Sequence, residues 1–161
     1  MLSGTRSSRS GGRMGWDEFA EALAEELAVF PAGALVVIKE AAEPRFARYV
    51  QFAQRDAELD AGVVANSFLE EAAQCSPEGE RVIAEAGWRT RQPTVGHQEW
   101  WYALPWPASS GEYRRLTGMI VTAFREGYGI ADPGSWRYRA WNEREWNQAI
   151  SLSRLGLERY E

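Results

Sequence analysis

Few side chains in this sequence could carry a reaction, and that scarcity is the first constraint on function. The 161 residues include one histidine, His97, and one cysteine, Cys75. The His/Cys zinc sites and paired-histidine sites of metalloenzymes cannot be built from so few ligands. A hydrolytic triad using His97 would need a serine on a strained elbow, and no G-x-S-x-G occurs; the residue reads instead as a surface or hydrogen-bonded histidine. Cys75 directly precedes Ser76-Pro77, a helix start where a thiol pKa can fall, although a lone cysteine more commonly behaves as a small, partly buried apolar group. Asp56, Glu58 and Asp60 are spaced two apart, so an extended segment sets them on one face where they could hold a divalent cation. Without EF-hand spacing or a loop glycine, a solvated hairpin end is the better reading. Arg114, Arg115, Arg137, Arg139 and Arg144 could meet an acidic partner segment, but exposed ion pairs with nearby glutamates account for them too. Ser10-Gly11-Gly12 precedes no strand or helix able to make a phosphate-cradling loop. No catalytic, cofactor-binding or metal-binding residue is therefore assigned, and no cofactor is expected.

The rings rise above this background. There are eight tryptophans, and Trp100, Trp101, Tyr102 and Trp106 crowd one strand-like stretch. Alternation sends Trp100 and Tyr102 to one face and Trp101 to the other. One set can be core; the other must be covered or form an apolar patch of the kind that marks interaction sites. Tryptophan is also enriched at binding hot spots. The candidate partner-binding residues are Tyr49, Gln51, Trp100, Trp101, Trp106, Trp136 and Trp141. The competing reading is that the segment Trp136 to Leu157 folds back over this face and the rings are simply packed.

The elements that must position these groups follow from periodicity. Arg45 to Leu69 reads as two long antiparallel strands joined at Arg55-Asp56, with Tyr49, Gln51 and Ala53 on one side and Val50 and Phe52 on the other. Its return leg is apolar on both faces, which places the hairpin in the middle of a curved sheet or under cover on both sides. Trp16, Phe19, Leu23, Leu27 and Phe30 form one helical stripe, stopped by Pro31 and Gly33. Leu35 to Ile38 is a continuous aliphatic run that suits a first strand buried on both faces. Ser76 caps a helix with Pro77 in its first turn and Gly87 at its end. His97 to Leu104 is a strand ended by Pro105 and Pro107. Ser109 and Glu112 make a capping box for a helix with Tyr113, Leu116, Ile120 and either Ala123 or Phe124 inside. Trp136 to Trp141 alternates as a short edge strand, and Asn142 with Glu145 caps a last helix carrying Trp146 and Ile150. Early consecutive strands with helices segregated around them indicate an α+β fold rather than a parallel α/β one.

Composition sets outer limits. The chain is 45% hydrophobic and 25% charged, as soluble domains are, and its net charge of −5 disfavours nucleic acid and anionic membranes as partners. A single cysteine is compatible with a reducing cytoplasm. The longest apolar run is too short to span a bilayer, and no signal-peptide pattern follows Met1. Residues 1–14, rich in Ser, Gly and Arg, predict a disordered tail.

With these elements placed, YVQFAQ (Tyr49 to Gln54), LDAGVVANSFL (Leu59 to Leu69), the SPEG helix start running to AGW (Ala86 to Trp88) and GYGIADP (Gly127 to Pro133) together resemble the actinobacterial TY-Chap group. That group is related to the YbjN proteins and to the type III secretion chaperone fold. The likeness spans Trp16 to Pro133. It implies a chaperone-like α+β fold for residues 15–134, where the elements read above run α-β-β-β-α-β-α as an antiparallel sheet flanked by helices; the Trp-rich strand/helix extension over 135–161 departs from the group's usual pattern. It also implies a non-enzymatic role in holding a peptide or an apolar segment of another protein; separately, an unoccupied apolar groove or sheet edge tends to find a copy of itself, which makes a homodimer one expected assembly. Gly62 departs from the group's pattern, in which an acidic residue is expected there. Two other functions stay open on sequence alone: a small-molecule or lipid pocket on the same concave face, and a hydrolase built on Asp56, Glu58 or His97.

Overall fold

A computed structural model describes residues 14–91 and 98–161. The N-terminal tail up to Arg13 and His97 lie outside the described residues. Helix α1, Trp16–Ala28, turns Trp16, Phe19, Leu23 and Leu27 into the core, as the stripe predicts. Strands β1, Ala34–Lys39, β2, Tyr49–Gln54, and β3, Glu58–Val64, follow as an antiparallel meander. Helix α2, Pro77–Ala86, starts at Ser76, whose side chain accepts the Gly79 backbone N–H at 3.0 Å. A three-residue strand β4, Arg89–Arg91, pairs with β5, Glu99–Pro105. Helix α3, Ser110–Val121, opens on the Ser109/Glu112 capping box and continues as a π-helical stretch, Thr122–Gly127. Strands β6, Arg137–Asn142, β7, Gln148–Ala149, and β8, Glu158–Arg159, complete one sheet in the order β4-β5-β3-β2-β1-β6-β7, with β8 parallel to β6 and every other pairing antiparallel. The class is α+β, and the β2–β3 hairpin is central, as expected.

Three local expectations change. The last helix does not form. Asn142 ends β6 in register with Ala34, its Oδ1 accepts the Arg144 N–H at 2.9 Å, and the chain reverses through Trp146 and Asn147 at φ 59° and 58°. A side-chain turn of this kind competes with helical backbone bonding. Strand β6 is not an edge, because β7 and β8 both flank it, and Ile150 and Tyr160 donate backbone N–H groups to Ala140 and Tyr138 at 2.9 Å each. The third change concerns β1, which is buried on one face only. Val36 and Ile38 are fully buried, whereas Leu35 and Val37 are half-buried.

The core lies between the helices and one face of the sheet. Val36, Ile38, Val50, Phe52, Leu59, Ala61, Val63 and Trp100 meet the stripes of α1 and α3. Three buried polar ends are paired across the core: Trp16 Nε1 donates to the Ile130 carbonyl at 2.8 Å, Trp88 Nε1 to the Met119 carbonyl at 3.0 Å, and Tyr128 Oη to the Val64 carbonyl at 2.7 Å, whereas Trp100 Nε1 and Gln54 Oε1 are buried without a partner. The C-terminal segment is pinned to α1 by Glu26, 3% exposed, which accepts the Arg154 N–H at 2.8 Å and its guanidinium at 3.2 Å. Among the described residues, no helix is long and apolar enough to cross a membrane.

Candidate functional site

Alternation along the strands assigns the residues of the opposite sheet face. Register puts Leu35 and Val37 of β1 beside Ala53 and Gln51 of β2, and those beside Asp60 and Gly62 of β3. Ala103 and Trp101 of β5 continue the rows on one side, and Trp141 and Arg139 of β6 on the other. This face keeps half-buried apolar side chains at Leu35, Val37, Ala53, Trp101 and Trp141. A depression of about 270 Å³ lies on it, lined by Leu35, Val37, Ala53, Gly62 and Trp141, with Arg55, Asp60, Arg91 and Glu99 at its margin.

A polar cluster crosses the face beside that depression. Glu99 is 9% exposed, and its carboxylate lies flat over the neighbouring strand. It accepts from Gln51 Nε2 at 2.7 Å and Tyr49 Oη at 3.3 Å, with the Arg91 guanidinium 3.7 Å away. Gly62 permits this: a Cβ there would fall 2.5 Å from Glu99 Oε1. Residue 62 is a glycine where the resemblance leads one to expect an acid, and the carboxylate that lies against it comes from Glu99 of β5. Burial, then the Glu99 charge, holds the Tyr49 phenol well above its ordinary pKa, so it stays a proton donor well into alkaline pH. At the other margin Arg55 Nε donates to Asp60 Oδ2 at 2.6 Å. Asp60 Oδ1 and Trp101 Nε1 are buried without a hydrogen-bond partner.

The expected partner-binding residues divide between the two faces. Tyr49, Gln51, Trp101 and Trp141 share the open face, with Arg91 lying over the Trp101 ring at 5.2 Å and Arg139 over the Trp141 ring at 4.6 Å. Trp100 faces the helices at 6% exposure. Trp136 is a core residue at 2%, packed against Trp16 and Phe124 at centroid distances of 5.6 and 4.8 Å. Trp106, just past β5, is half-buried against the core cluster. The segment after Trp136 does not fold over the open face; it lies along the far edge of the sheet.

Sequence reasoning missed Leu35, Val37, Glu99 and Trp146. The first two were concealed by the unbroken aliphatic run. Trp146 was assigned to a helix and is instead 97% exposed at a hairpin tip.

The groups with chemical potential are scattered. Glu58 and Asp60 meet, and the hydrogen bond to Asp60 and then its charge raise the Glu58 pKa, whereas Asp56 is drawn away to Arg144 at 2.7 Å, so the three acidic residues do not gather at one point. Among the described residues, no cluster of His, Cys, Asp and Glu could hold a metal. Cys75 is buried, and desolvation, with Glu80 nearby, raises its thiol pKa rather than lowering it.

Residues 10–142 match the family described as T3SS (YopN, CesT) and YbjN peptide-binding chaperone 3, TY-Chap3. No curated protein and no solved structure matches the chain. The match covers most of the sequence, and the chain belongs to the TY-Chap3 family.

Proposed function

We propose that this member of the TY-Chap3 family is a non-enzymatic, cytoplasmic adaptor that holds an apolar segment of a partner protein against the open face of its sheet. The observation that carries the reading is an apolar floor that none of the described elements covers, in which Leu35, Val37, Ala53 and Trp141 line a depression of about 270 Å³. An extended segment laid there would sink alternate apolar side chains into the floor while its backbone meets the Gln51–Glu99 and Asp60 groups. Burial of the rings of Trp101 and Trp141 supplies the affinity, because large rigid side chains bury much area at low entropic cost. The outer side of β5 adds a second mode, since β4 pairs only with Glu99–Trp101 and leaves Tyr102–Pro105 without a strand neighbour among the described residues. A lone cysteine supports a reducing compartment. The small-ligand alternative is less favoured, because the depression is open and below the usual range of roughly 300–1,000 Å³ for such sites.

Titration with a synthetic peptide of alternating apolar and polar residues, read by indole fluorescence, tests this. Saturable binding is expected, weakened about tenfold by Trp141→Ala or Leu35→Glu. Binding that both substitutions leave unchanged would remove the open face as the site.

A further inference from the structure

Of the arginines that an acidic partner could meet, Arg144 is taken by Asp56 at 2.7 Å, and Arg114 and Arg115 lie on α3, on the helix side of the sheet. Arg137 and Arg139 stand exposed on the open face, and alternation along β1 adds half-buried Lys39 beside them. Every Asp and Glu of the chain lies among the described residues, yet none of them pairs with Lys39, Arg137 or Arg139, whereas Arg48, Arg55 and Arg154 are held by Glu40, Asp60 and Glu26. The three cations form one corner of the face. Register sets Lys39 directly opposite Arg137, and Arg139 opposite Val37. Like charges facing each other across a ladder destabilise a sheet.

The Tyr160 ring closes this corner. Lys39 Nζ lies 4.4 Å from its centroid, and Lys39, Arg137 and Tyr160 line a hollow of about 160 Å³. Burial pushes the Tyr160 phenol pKa up, and the nearby Arg139 charge offsets part of that push. The closest acids do not neutralise the cations. Glu40, which also lines the hollow, is held by Arg48 at 2.7 and 2.9 Å, and Glu158, in register beyond Arg137, makes no ion pair. The corner adjoins the apolar floor: Arg139 lies over the Trp141 ring at 4.6 Å, and Trp141 lines the depression with Leu35 and Val37. Leu35 and Lys39 share one face of β1, about 13 Å apart at the usual strand rise.

We propose that the client segment is acidic as well as apolar: an extended stretch whose apolar side chains rest on the floor of Leu35, Val37 and Trp141, and whose Asp or Glu carboxylate, about four residues away, lies among Lys39, Arg137 and Arg139. The inference rests on the open face as the client surface and adds what the client must carry. A carboxylate in the corner relieves the repulsion between Lys39 and Arg137, so a feature that costs the free protein stability favours the complex.

Three synthetic peptides test this, sharing one alternating apolar core and flanked at both ends by Glu, Gln or Lys, with binding read by indole fluorescence. The Glu-flanked peptide is expected to bind about tenfold more tightly than the Gln-flanked one at low ionic strength, the Lys-flanked one should bind weakest, and the gap should close toward about 1 M salt. Lys39→Glu combined with Arg139→Glu should invert that order. Arg137→Gln should cut the preference for Glu about threefold while leaving the urea midpoint unchanged or raised, because one of two opposed like charges is gone; a lowered midpoint would mark the cations as structural and overturn the proposal. Equal binding of the three peptides, or an order that the double substitution leaves in place, would overturn it too and leave the open-face reading standing. Conversely, a Glu-flanked peptide whose apolar residues are replaced by serine, if it binds undiminished, would keep the carboxylate corner and remove the apolar floor. Failure of every peptide to bind sinks both. A single-stranded oligonucleotide that displaces the Glu-flanked peptide as well as unlabelled peptide does would assign the corner to phosphate and refute the carboxylate.

Discussion

Val36 and Val37 are adjacent, chemically identical and on one strand, yet Val36 is wholly buried and Val37 is half-exposed. The same division runs through the central sheet, with Val50, Phe52, Ala61 and Val63 facing the helices and Gln51, Ala53, Asp60 and Gly62 facing away. The helices supply a single apolar layer, and a sheet with one layer to pack on leaves its second face to something else. Residue type alone does not decide burial here; the number of layers the chain can provide does. The helix-facing side spends its apolar residues on stability, while the other side keeps comparable residues available for contact.

This contrast can be broken in measurable steps. The largest effect is expected from Phe52→Ala, which should lower unfolding free energy by about 3–5 kcal/mol in urea denaturation, against about 1 kcal/mol or less for Val37→Ser across the same sheet. Similar costs for the two would mean that the second face is packed after all. Next, Gly62→Ala should destabilise by about 1–3 kcal/mol, because the new methyl displaces the Glu99 carboxylate. Combining it with Glu99→Ala should recover part of that loss, and strict additivity of the two would show that the close approach is not the cause.

Tyrosine ionisation comes third. Burial, then the charge of Cys75, holds the Tyr128 phenol far above its ordinary value of 10.0. The neutral form is thus the one folded chains favour. Its contribution is complete below pH 10.0 and declines above it at up to about 1.4 kcal/mol per pH unit. Alkaline denaturation should be shallower for Tyr128→Phe, and an unchanged slope would refute the assignment. The smallest effect belongs to Asp56. Its hydrogen bond to Arg144, then that charge, lowers its pKa below 3.8, so the bond persists above that value and is lost as pH falls through the depressed one. The Trp146 indole resonance should shift in this acid range in the wild type and not in Asp56→Asn.

Much of the architecture was legible because it depends on local spacing. The stripe Trp16, Phe19, Leu23 and Leu27, the Ser76 and Ser109 caps, and the position of the β2–β3 hairpin all follow from signals within a few residues. What was not legible depends on distant partners. Nothing near Leu35 or Val37 records that only one face would be covered, since a run of aliphatic residues reads the same under one layer or two. The cap-like Asn142 and Glu145 suggested a helix, but pairing of β6 with β1 from a hundred residues upstream fixed Asn142 at a strand end instead. Glu99 could not be linked to Gly62 from spacing alone, because the two meet only across the β3–β5 ladder, where Gly62 opposes Trp101.

The two sides of the sheet also end differently, and this limits how the protein can misbehave. At β6 the ladder is stoppered by β7 and β8 from the chain's own C-terminal segment, whereas β5, paired with β3 along its whole length, is covered on its outer side by the described residues along only three of its seven positions. A molecule with one adhesive margin can spend it once: two such molecules meeting strand to strand exhaust their free hydrogen-bonding groups, and no third can join. Crowded or partly destabilised protein should on this ground stall at pairs instead of growing into fibrils, a safeguard written into the ladder rather than into the surface charge.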